Sequence, residues 1–70
     1  MKKNLLNIIG KAKKLTADEF TKFLDKKNIS WIWDECDNIL NYNEGRCVID
    51  VIGSGYSVWF EDGELIEIYK

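Results

Sequence analysis

Reaction chemistry at neutral pH rests on a few side-chain sets, and this 70-residue chain contains few of them. It has no His, which removes the commonest general base and the usual imidazole metal ligand. Serine or cysteine nucleophiles activated by an imidazole are excluded with it. Cys36 and Cys47 are the only two cysteines, too few to close a structural zinc site without imidazole. The carboxylates Asp34, Glu35 and Asp37 crowd together in sequence. Calcium, however, requires about six to eight oxygen ligands, and no glycine brings these acids into register with a calcium-binding loop. They read as a solvated acidic helix face. Gly53-Ser54-Gly55 follows an apolar run, as a phosphate-cradling loop would, yet the next residues read as a strand and not as a helix N-terminus. A hairpin turn is the simpler assignment. The chain is therefore expected to be a non-enzyme with no catalytic residue, no cofactor and no metal.

Binding chemistry is better supplied. Acids and aromatics are concentrated in the second half: Trp31 and Trp33 beside Asp34, Glu35 and Asp37, then Tyr56, Phe60, Glu61, Asp62, Glu64, Glu67 and Tyr69. Aromatic anchors rimmed by charge are the residue types that dominate protein–protein contacts. The net charge of −2 conceals a split. Residues 1–27 hold eight Lys against Asp18, Glu19 and Asp25, while residues 28–70 hold Arg46 and Lys70 against nine acids. Such a split implies either mutual neutralisation across the fold or two faces with different partners.

The elements that must position these residues follow from periodicity and punctuation. Leu5, Ile8, Ile9, Ala12 and Leu15 recur at helical spacing and predict a helix over 3–15, weakened by Gly10. Thr16-Ala17-Asp18-Glu19 has the form of a capping box. It opens a second helix over 17–27, with Phe20, Phe23 and Leu24 as its apolar stripe and Lys26, Lys27 and Asn28 at its end. Residues 29–40 are ambiguous: Ile29, Trp31 and Trp33 alternate like a strand, whereas Ile32, Cys36, Ile39 and Leu40 follow a helical step after Ser30. The longer pattern favours a helix over 31–40, in which Trp31 and Trp33 point apart. Three strands follow, over 46–52, 56–61 and 64–69, joined at Gly53-Ser54-Gly55 and at Asp62-Gly63, whose residues suit a type I′ turn.

A three-residue first turn and a two-residue second turn define two sheet faces. Cys47, Ile49, Val51, Trp59, Ile66 and Ile68, with Ser57, make the side expected to pack on the helices. Val48, Asp50, Ile52, Tyr56, Val58, Phe60, Leu65, Glu67 and Tyr69 make the other. That second side is too apolar for a solvated face and is read as covered by helices, closed by a homodimer, or used to bind a partner. The expected fold is α+β, a single small domain over 1–70, with two or three short N-terminal helices packed on a C-terminal three-stranded antiparallel β-meander.

The basic start is short in apolar residues and broken by Asn7 and Gly10, so it reads as a helix and not a secretory leader, and no stretch reaches membrane-spanning length. A cytoplasmic protein of a bacterial host cell is expected, with free thiols and with Asn28-Ile29-Ser30 unglycosylated. Whether Cys36 and Cys47 are neighbours is left open. The function expected is non-catalytic binding to a larger protein or nucleoprotein complex, through an acidic surface that occupies a basic or nucleic-acid-binding site. In composition the chain resembles the small acidic inhibitors carried by phages and mobile elements, anti-CRISPR proteins among them, being tiny, rich in Lys, Asn and Ile, and without proline. The resemblance involves no motif and implies no particular residue. Direct contact with nucleic acid, through Lys3, Lys11, Lys13, Lys14 and Lys22, is the alternative; a structural homodimer closed through Tyr56, Phe60, Leu65 and Tyr69 is another. Membrane attachment is not expected.

Overall fold

The computed structural model describes residues 2–70. The chain runs through α1 (Lys2–Gly10), a 3₁₀ turn (Lys11–Lys13) and α2 (Ala17–Lys26), then β1 (Trp31–Cys36), β2 (Arg46–Val51), β3 (Tyr56–Glu61) and β4 (Glu64–Tyr69). The strands form one antiparallel sheet in the order β1-β2-β3-β4. The α+β class stands. The sheet, however, has four strands and not three, because residues 31–36 form a strand where a third helix was expected.

The start of α2 is held at three consecutive backbone donors. Ala17 N–H donates to the Gly63 carbonyl (3.2 Å), Asp18 N–H to Asn43 Oδ1 (2.9 Å) and Glu19 N–H to Thr16 Oγ1 (3.2 Å). Glu19 Oε1 in turn accepts from Thr16 N–H at 3.0 Å and completes the capping box. Two of these acceptors come from sheet turns, so the cap also ties helix to sheet. At the other end Asn28 takes a positive φ of 59°, and Ile29 N–H returns to the Leu24 carbonyl at 2.9 Å.

The core lies between the helices and one side of the sheet. Ile9, Ala12, Ala17, Phe20 and Leu24 pack on Cys47, Ile49, Val51, Val58 and Phe60. The rings of Phe20 and Phe60 lie 5.7 Å apart, and both residues are 0% exposed. Truncating either to Ala costs about 3–5 kcal/mol, the range for a buried aromatic.

The β2–β3 turn is Ile52-Gly53-Ser54-Gly55, four residues long, with Val51 opposite Tyr56. One residue beyond the expected three shifts the register by one position and moves each affected side chain to the opposite face. Ile49 therefore pairs with Val58, and Val48 with Trp59. The Asp62-Gly63 turn forms as expected, with φ of 50° and 84°, and sets Glu61 opposite Glu64 and Phe60 opposite Leu65. A bulge at Ile66 then places Glu67 opposite Trp59 and Ile68 opposite Val58. A second bulge, at Asp34, sets Trp33 opposite Ile49 but Glu35 opposite Val48.

Candidate functional site

These registers sort the sheet into two sets of cross-strand rows. On the helix side run Leu65-Phe60-Cys47-Cys36, then Ile68-Val58-Ile49-Trp33, then Tyr56-Val51-Trp31. On the other side run Glu64-Glu61-Arg46, then Glu67-Trp59-Val48-Glu35, then Tyr69-Ser57-Asp50-Ile32. Among the described residues no helix packs on this second side.

The open face is both acidic and aromatic. Five carboxylates, Glu35, Asp50, Glu61, Glu64 and Glu67, face a single cation, Arg46. The Arg46 guanidinium lies over the Trp59 ring, 5.3 Å from its centroid, with Nη1 3.5 Å from Glu35 and Nε 3.8 Å from Glu61. Asp50, Glu64 and Glu67 have no cation within ion-pair distance among the described residues. Arg46 helps to line a concavity of about 250 Å³ together with Glu35, Val48, Trp59, Glu67 and Tyr69. Trp59 Nε1–H, shielded from solvent, has no acceptor among the described residues. A shielded donor without a partner carries a desolvation cost.

The sequence-predicted binding residues divide into four places. Glu35, Glu61, Glu64, Glu67 and Tyr69 share the open face. Trp31, Trp33, Tyr56 and Phe60 lie on the helix side, and Phe60 is fully buried there, so it cannot anchor a partner or close a dimer. Asp34 is the bulged, exposed residue of β1. Asp37 and Asp62 hold turns: Asp37 Oδ2 accepts from Arg46 N–H at 2.8 Å, and Asp62 Oδ1 from Gly45 N–H at 3.0 Å. The acids at 34, 35 and 37 are thus not one helical face. Arg46, Val48 and Trp59 were absent from the predicted site, and the four-residue turn is what puts Trp59 there.

Trp31 and Trp33, on the same side of β1, meet edge to face at 5.9 Å, and Tyr42 packs edge to face on Trp31 at 5.8 Å and tilted against Trp33 at 6.0 Å. Trp31 Nε1–H donates to Asp25 Oδ1 at 2.8 Å. This cluster secures the edge strand to α2, while Trp33 remains 44% exposed. Cys36 and Cys47 are direct cross-strand neighbours with free thiols. Burial first, and the neighbouring Cys36 second, push the Cys47 thiol up from 9.0 to about 12. Burial likewise raises the Tyr42 phenol.

The described lysines of the first two helical segments, Lys11, Lys13, Lys14, Lys22, Lys26 and Lys27, are all exposed, and Lys22 pairs with Asp18 at 3.1 Å. The side chain of Lys3 lies outside the described residues. Among the described residues no group of three or more potential ligands is placed to hold a metal ion, and no helix is long and apolar enough to cross a membrane. Comparison with protein-family models, with curated proteins and with solved structures finds no match.

Proposed function

We propose that this chain is a non-catalytic protein-binding module that docks the open face of its sheet on a basic surface of a larger protein or nucleoprotein complex. The reading places it in the bacterial cytoplasm as an inhibitor of the phage or mobile-element type. The observation that carries it is the charge imbalance on a face bearing an aromatic residue at its centre. Five acids, one arginine and no covering element among the described residues leave Trp59 and Tyr69 surrounded by negative charge that is not neutralised within the face. Complementary potential of this kind steers encounter and selects a cationic partner. Desolvated aromatics supply the affinity. A surface built to bind phosphate backbone is positively charged, so an acidic face of this form competes for it.

The test is retention of partners from nuclease-treated bacterial lysate by the immobilised chain, compared with a Glu64→Lys/Glu67→Lys variant. Both side chains are exposed, so the variant keeps its fold. The expected result is a protein retained by the native chain after nuclease and lost with the variant. Equal retention by both overturns the reading. Binding carried by nucleic acid and lost on moderate salt would instead transfer the function to the helical lysines.

A further inference from the structure

The geometry points to a receptor slot for one arginine side chain of the protein partner, in the concavity between Glu35, Trp59, Glu67 and Tyr69. This deepens the proposed docking function and rests on it. The chain's own Arg46 displays the recognition chemistry: a guanidinium over an indole, 5.3 Å from its centroid, and bracketed by carboxylates at 3.5 and 3.8 Å. The concavity that Arg46 helps to line holds two further groups that Arg46 does not pair with, Glu67 and Tyr69. Glu67 stands directly across from Trp59 and has no cationic partner among the described residues, and Tyr69 adds a second aromatic wall. About 250 Å³ suits a single long cationic side chain and is small for a folded element.

Arginine fits better than lysine for a chemical reason. Its planar guanidinium stacks against an aromatic face while its in-plane donors reach carboxylates, whereas an ammonium is a strongly hydrated point charge. Arg46 is then a competitor for the ring as well as part of the lining, and its removal frees aromatic surface and leaves more negative charge.

The test is NMR titration of the labelled full chain with end-blocked Gly-Arg-Gly, compared with the same peptide bearing lysine or uncharged, nearly isosteric citrulline. Saturable movement of the Trp59 indole resonance is expected with arginine, weaker movement with lysine and none with citrulline. Glu67→Gln should weaken arginine binding roughly two- to five-fold, the scale of one exposed ion pair, and Arg46→Ala should strengthen it. Equal response to arginine and citrulline, or no effect of Glu67→Gln, overturns the slot. Its failure is separable from failure of the docking reading. A partner still lost on reversing Glu64 and Glu67, while the peptide shows no charge preference, removes the slot alone; a partner retained by that variant removes the docking reading whatever the peptide does.

Discussion

Asp37 and Asp62 direct their carboxylates to backbone N–H groups of Arg46 and Gly45, so two acids that look like surface charge in the sequence serve as turn fasteners. Gly45 has φ +75°, and a Cβ there would meet the Asp37 carboxylate at 2.7 Å. The acids available for binding are those whose side chains stand off the sheet. Cysteine chemistry divides by environment in the same way. Cys36 is half-buried, whereas Cys47 is 0% exposed and its thiol is pushed up to about 12. Alkylation in the folded protein should therefore modify Cys36 first and leave Cys47 protected until unfolding, as peptide mass mapping over time would show. Simultaneous modification of both at low reagent would contradict its burial. The folded state holds the Cys47 proton more tightly than the unfolded chain, whose value is near 9.0. Its contribution to stability is complete below that pH and is lost progressively as pH rises from 9.0 toward 12. The raised phenol of Tyr42 acts with the same sign. Urea midpoints measured across this window should fall with pH.

At the scale of elements, local chemistry was legible wherever one turn of chain settled it. The Thr16–Glu19 capping box, the left-handed Asn28 and the Asp62-Gly63 turn all appear where their residue types require them. Residues 31–36 imitate a helix in sequence because the bulge at Asp34 breaks the strand alternation after Trp33. The Ile66 bulge and the additional turn residue Ile52 misled in the same way, each moving side chains across the sheet. Long-range partners carry no local signal either. Asn43 reads as a turn residue, yet its Oδ1 accepts from Asp18 N–H 25 residues away. Asn43→Ala should leave that helix-end donor without its acceptor and cost about 1–2 kcal/mol. A lowered urea midpoint with unchanged slope is the expected result, and an unchanged midpoint would show that the cap does not depend on Asn43.

Across the whole molecule, the basic first half and acidic second half do not simply neutralise one another. Helices cover one side of the sheet through an apolar core, while five acids gather on the opposite side around Arg46 and Trp59. The charge split was legible in composition; which acids share a face was not, because that depends on turn length and bulges. Carboxyl footprinting tests the central claim most directly. Asp and Glu are labelled with carbodiimide and a small amine, in the free chain and in complex with the protein it retains after nuclease treatment. The account predicts that complex formation protects Glu35, Asp50, Glu64 and Glu67 and leaves Glu19 and Asp25 of α2 as reactive as before. Protection of the α2 acids, with Glu64 and Glu67 still labelled, would contradict it and place the partner on the helical side.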